Sequence, residues 1–247
     1  MSNWIETHGK TALVGVILAS VIIGTSILAG GLVKFKELEQ SKLAVTGYAE
    51  TLVKSDVAEW TLTITAFNKV KPNAYKKLNQ DLNTLKKVLT SNGIDTKDIN
   101  ENTLYVTTNY KKNYNGYDTA DIDGYTLSKA LVVRTPKIDA VDAVAKKLEG
   151  LVGNGLGVDI AAPQYLYSKL DDLKLNLIAQ ATKNAKDRAK TMANVTGNQV
   201  GSLLTASSGV FQITPPNSTD VSDYGQYDTT TREKKVTSVV NVTFSIN

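Results

Sequence analysis

The sequence predicts an α+β protein: a single N-terminal transmembrane helix, then a largely antiparallel sheet with three packed helices, in the order ββαββαβαββ. Three observations predict it. An uncharged run from Thr11 to Val33 stands near the N-terminus. Further on, apolar and polar residues alternate at period two in several segments, the pattern of a sheet with one covered face. Between those segments, leucines or alanines recur at spacings of three and four, which is one face of a helix. Elements intermixed in this way suit helices laid against an antiparallel sheet better than a doubly wound parallel fold.

The first element is the run TALVGVILASVIIGTSILAGGLV, bounded by Lys10 on one side and Lys34 and Lys36 on the other. At 1.5 Å per residue it reaches about 34 Å, against a hydrocarbon core of about 30 Å. It is long enough to span a bilayer and longer than the apolar stretch of an ordinary cleavable signal, so an uncleaved anchor is favoured, with Ala29, Gly30 and Gly31 the alternative cleavage site. The lysines flanking it do not decide its orientation. Small residues at Thr11, Gly15 and Ala19, and at Ser20 and Gly24, recur four apart, a spacing that packs helices together and is also common in lone anchors. The expected organisation is a tail over 1–10, the anchor over 11–33, a linker over 34–42 and one folded α+β body over 43–247.

Within that body, Leu43 to Glu50 reads as a short strand and Asp56 to Val70 as a longer one, with Trp60, Leu62, Ile64 and Ala66 on one face. Pro72 opens a helix in which Leu78, Leu82, Leu85 and Leu89 share a face, ended by Asn92 and Gly93. Strands at Ile99 to Tyr114 and Tyr125 to Arg134 follow, joined across the polar stretch NGYDTADIDG as an extended hairpin. Ile138, Val141, Val144, Ala145, Leu148 and Leu151 make a second helix over Pro136 to Val152. The glycines of GNGLG come after that helix and before a strand-like segment, VDIAAPQYLYSKL, the reverse of the strand-to-helix order a phosphate cradle needs, so they read as a connector.

A third helix starts from Asp171 and Asp172 at its N-cap and runs to about Val195, with Ala181, Ala185, Ala189 and Ala193 forming a narrow ridge. Such a ridge permits close approach to a neighbour. A strand from Ser202 to about Ile213, a polar loop from Thr214 to Thr230 and a last alternating strand through Val236, Val240, Val242, Phe244 and Ile246 complete the chain.

Composition narrows the chemistry. The chain has no Cys, which excludes disulfides, thiolate nucleophiles and Cys-based metal sites. Its one His is His8, ahead of the membrane run, so the body lacks the usual general base. The net charge of +4 is scattered among acids and forms no basic stripe, so no nucleic-acid partner is indicated. Asp118, Asp121 and Asp123 are the carboxylates to consider for glycoside chemistry or weak Ca²⁺ binding, and a solvated hairpin tip is the simpler account of DTADID. Tyr110, Tyr114, Tyr117 and Tyr125 gather at the same hairpin, as a contact surface or as ordinary cross-strand pairs. Glycosylation triplets at Asn194, Asn217 and Asn241 mean little outside a eukaryotic secretory context. No catalytic, cofactor-binding or metal-ligating residue is assigned.

The order of elements, with VTGYAE at Val45 to Glu50, Asp56, Ala58, Gly93-Ile94, Asp98-Ile99, Gly124-Tyr125 and the series Ala181, Ala185, Ala189, Ala193, Gly197 and Gly201, resembles the SIMPL-domain family. That family occurs in bacterial periplasmic proteins linked to oxidative-stress defence and in a related outer-membrane-type immunogen. The chain departs from the pattern in having Ser55-Asp56 where Pro-Asp is frequent, and a longer apolar helix where many members have a cleavable signal. The resemblance implies export, assembly into a ring-like or channel-like homo-oligomer in at least some members, and no established catalytic centre.

Three functions follow as expectations. The first is a non-enzymatic, self-assembling scaffold on the bacterial inner membrane, single-pass, facing the periplasm or exterior. The second is a small-ligand or protein-binding signalling module that uses the Tyr-rich hairpin or the loop from Thr214 to Tyr227. The third is a carboxylate-dependent enzyme.

Overall fold

A computed structural model describes residues 24–30 and 42–247. Residues 24–30 are helical and largely exposed. Among the described residues no helix is long and apolar enough to cross a membrane. Residues 11–23 and 31–33 of the expected anchor, with the expected tail and most of the linker, lie outside the described residues.

The chain divides into two compact units. The smaller takes residues up to Ala49, then Ile178–Gly209 and Val239–Asn247, and the larger takes Glu50–Leu177 and Val210–Ser238. The divisions fall inside three long elements: β1 (Lys42–Lys54), α3 (Leu170–Val195) and β11 (Glu233–Ile246).

The larger unit is built on β2 (Val57–Asn68), which pairs antiparallel with β5 (Asp118–Thr135) from Ala58 opposite Thr135 to Asn68 opposite Tyr125. Alternation puts Ala58, Trp60, Leu62, Ile64 and Ala66 inward with Leu127, Leu131 and Val133 of β5. Helix α1 (Lys71–Ser91) contributes Ala74, Leu78, Leu82, Leu85 and Leu89 to the same core, and α2 (Ile138–Gly153) adds Val141, Val144 and Leu148. The Trp60 indole N–H, taken out of water with its ring, donates to the Ala161 carbonyl at 2.6 Å. Truncating one of these leucines to Ala costs about 2–5 kcal/mol.

Helix α1 ends where Gly93 adopts φ +92°, the Gly93 amide bonding Thr90 O and the Ile94 amide bonding Leu89 O. This is a Schellman stop, in which the left-handed residue satisfies otherwise orphaned carbonyls. Helices α2 and α3 stop the same way at Gly155 and Gly197. GNGLG is thus a helix terminator and connector, as its position in the sequence suggests.

Several elements differ from the sequence expectation. The single strand expected over Ile99 to Tyr114 is two, β3 (Ile99–Glu101) and β4 (Tyr105–Lys112), which both pair with β5. DTADID is not a loop but the start of β5, and the turn tightens to the residues between Lys112 and Asp118, a bonded pair of the ladder. VDIAAPQYLYSKL holds two three-residue strands, β6 (Val158–Ile160) and β7 (Gln164–Leu166), on either side of Pro163. Proline donates no ladder bond, so a continuous strand is broken there. Asp171 and Asp172 sit within the first turn of α3 and not at its cap. The observed order is ββαβββαββαββββ, in two sheets.

The strand expected over Ser202 to Ile213 is also two, β8 (Val200–Ser208) and β9 (Gln212–Thr214), and the polar loop contains β10 (Gln226–Tyr227). β9 pairs antiparallel with the first half of β11 and parallel with β10, while β8 pairs antiparallel with the second half of β11. In the sheet order β1-β11-β9-β10, β11 is therefore interior. In the smaller unit the alanine ridge of α3 is fully buried, and a Cβ on Gly47 of β1 would overlap the Ala181 carbonyl and Ala185.

Candidate functional site

A dense polar centre lies in the larger unit, at a cavity of about 460 Å³ lined by the turn Lys54–Asp56, the N-terminus of α2 and Arg232. Arg232 comes just ahead of β11. Its guanidinium donates to Asp139 at 2.7 Å and to Asp142 at 2.5 Å, two acids three apart on α2 and hence on one helix face. It also lies 5.5 Å from the centre of the Tyr165 ring, and the Tyr165 hydroxyl donates to Asp142 at 2.6 Å. Hydrogen bonding to Asp139 raises the Arg232 pKa, against a lowering by burial. Burial, then the bond to Asp142, raises the Tyr165 phenol.

Beside this hub, the Ser55 amide donates to the Arg232 carbonyl at 2.8 Å, and the Asp56 amide donates to Leu166 O at 3.0 Å. The Asp56 carboxylate accepts from the Ser168 amide at 2.7 Å and its hydroxyl at 2.6 Å. The turn between β1 and β2 is thereby tied to both β7 and the approach to β11. The Ser55 hydroxyl is buried with no hydrogen-bond partner.

Asp228 and Lys234 form a second pair nearby. Asp228 accepts from the amide and hydroxyl of Thr230 at 2.8 and 2.7 Å, and from Thr231 through both its groups. Burial would raise the Asp228 pKa, but these bonds and the Lys234 charge outweigh it and hold the carboxyl down to about 2. Lys234 is 2% exposed, donates to Thr231 O at 2.5 Å and stands 3.4 Å from Asp228. Burial lowers its pKa, only partly opposed by Asp228.

Chemically the arrangement is a clasp. The donors of Arg232 are directed to two acids, the acceptors of Asp56 to one serine, and the Lys234 ammonium to a carboxylate and a carbonyl.

The residues singled out from sequence lie elsewhere. Asp118 is ion-paired with Lys112 at 2.9 Å, and Asp121 and Asp123 are exposed along β5. Among the described residues no group of three acidic or metal-binding side chains is placed to hold an ion. The tyrosines divide: Tyr114 and Tyr117 are exposed at the hairpin tip, Tyr110 pairs opposite Ile122, and Tyr125 packs towards the core with Lys71 5.8 Å from its ring. The loop from Thr214 to Tyr227 is pinned by Gln212 to Ser222 O at 2.6 Å and by Lys235 to Ser218 O at 2.7 Å, leaving Val221 and Tyr224 exposed.

Sequence reasoning missed Arg232, Asp139, Asp142, Tyr165 and Asp228, which no local pattern unites. Lys234 did carry a signal, because it occupies the inward phase of β11 with Val236, Val240 and Val242.

A search of curated proteins finds no match. Among solved structures, a hydantoinase/carbamoylase family amidase from Burkholderia ambifaria is similar at 12% identity and a TM-score of 0.25, over 47% of this chain and 29% of that one. This chain thus spans less than a third of the amidase's length. An uncharacterized conserved protein from Listeria innocua aligns at 10% identity and a TM-score of 0.22, over 80% of this chain and 92% of that one. Neither likeness bears on activity. The family model that matches, over residues 43–244, is that of SIMPL, described as a protein of unknown function (DUF541), and the chain belongs to that family.

Proposed function

We propose that the chain is a non-enzymatic envelope protein, held on the bacterial inner membrane by Thr11 to Val33, whose α+β part faces the periplasm or exterior and assembles into a homo-oligomeric scaffold. The observation that supports the non-enzymatic part is the Arg232 centre, where the guanidinium is paired with Asp139 and Asp142 and the Asp56 carboxylate is held by Ser168. Tethering rests on the uncharged run, which is long enough to span a bilayer. Assembly, and a link to envelope or oxidative-stress defence, rest on what SIMPL membership implies.

Light scattering on the detergent-solubilised 247-residue chain tests assembly. A mass several times that of the 26.7 kDa chain is expected, and a monomer at every concentration defeats the reading. Carbonate extraction tests the tether: the intact chain stays with the membrane pellet, and its release with the N-terminus attached removes the anchor.

A second reading, a partner-binding signalling module, draws on the exposure of Tyr114 and Tyr117 at the hairpin tip and of Val221 and Tyr224 in the pinned loop. Unchanged partner recovery after deletion of that loop counts against the loop as the contact.

A further inference from the structure

We infer that β8 is the surface through which two copies of this chain join, edge to edge and antiparallel. The inference rests on the assembly reading above and names its contact. β8 hydrogen-bonds β11 along one edge, and among the described residues no strand pairs with the other. A free edge presents unpaired N–H and C=O groups to any strand that approaches. Neither face is covered: Leu203 and Leu204, neighbours on a strand, are 53% and 46% exposed, and every residue from Ser202 to Ser208 is exposed.

Native edges are usually protected by lysine, proline, inward charges or bulges. β8 has no charge and no proline. Its register slips opposite Thr243 to Ile246, leaving Thr205 to Ser208 as a regular ladder.

The absence of charge also suits a second copy as the occupant. When a strand pairs antiparallel with its own copy, residues at the two-fold axis face their own kind, so a lysine or glutamate there would meet a like charge. No charged residue occurs between Lys190 and Asp220, in a chain that is 21% charged, and the residues of the regular ladder are the small Thr205, Ala206, Ser207 and Ser208. A second copy of β8 meets that strip without charge repulsion or steric conflict, and the two-fold contact is complementary to itself.

The chain contains no Cys, so single cysteines report cleanly. Thr205→Cys, Ala206→Cys, Ser207→Cys and Ser208→Cys, each in the 247-residue chain, are treated with a short bis-maleimide, with Lys76→Cys on α1 as control, and the mass of the untreated wild type is measured in parallel. Cysteines at 205–208 convert most of the chain to covalent dimer and the control does not. If the wild type is oligomeric and none of the four cysteines cross-links above the control, the β8 contact is wrong and assembly stands. If the wild type is monomeric, both fall together.

Discussion

The Ser55 amide donates to the Arg232 carbonyl at 2.8 Å, while the hydroxyl of the same serine is buried with no protein partner. One residue therefore carries a stabilising backbone bond and a destabilising side chain at the seam of the clasp. Ser55→Ala keeps the amide and removes the orphaned hydroxyl, so it raises stability by about 1 kcal/mol in urea unfolding. Ser55→Pro, the residue frequent in the SIMPL pattern, removes the hydroxyl and the donor together, so it is less stable than Ser55→Ala by about 1 kcal/mol. Equal stability of the two variants would mean that the Arg232 bond contributes nothing.

Asp228 makes a prediction in pH. Its pKa is 3.8 ordinarily and about 2 in the fold, so the folded state favours the carboxylate. A group with a depressed folded pKa adds stability above its unfolded pKa, and loses it as pH falls through the folded value. The contribution is on the order of 2 kcal/mol, full above pH 3.8 and gone below about 2. Asp228→Ala also strands the buried Lys234 ammonium, at a cost of about 3–5 kcal/mol near neutrality. Asp228→Ala with Lys234→Met recovers most of that loss in a double-mutant cycle. Additive single effects would show that the two charges do not interact.

How much of this was legible in the sequence follows from what periodicity reports. Trp60, Leu62 and Ile64 announced a strand, and Leu78, Leu82, Leu85 and Leu89 a helix, because each set lines one covered face. DTADID hid its strand because all of those residues but the half-buried Thr119 are exposed in a two-stranded ladder, where nothing enforces alternation. The break after Ser208 was likewise invisible, since the exposed β8 has no inward phase to lose. The clasp was beyond reach: Asp142, Tyr165 and Arg232 meet only because α2, β7 and the approach to β11 converge, and no spacing encodes that.

The alanine ridge was legible and its partner was not. Gly47 faces the Ala181 carbonyl and Ala185, where an added Cβ overlaps helix backbone that cannot rotate away. Gly47→Ala therefore lowers stability by about 1–3 kcal/mol. Gly150, inside α2 with nothing near its Cβ position, is the control: Gly150→Ala gains about 0.5–1 kcal/mol from helix propensity and a less flexible unfolded chain. Thermal unfolding of both variants checks the contrast, and a neutral Gly47→Ala would show that β1 and the ridge are not in close contact.

The hairpin tip separates folding from recognition. Tyr114 and Tyr117 are exposed beyond the last bonded pair of the ladder, Lys112 opposite Asp118, so neither side chain supports the core. Tyr114→Ser with Tyr117→Ser leaves unfolding stability within about 0.5 kcal/mol, as for surface sites without a cap, charge pair or buried contact. If copies join through β8, the same double variant also keeps the wild-type mass by light scattering. A fall to monomer with unchanged unfolding would move the contact from β8 to the hairpin, since tyrosines at a rigid turn lose little conformational freedom on docking and bury a large area.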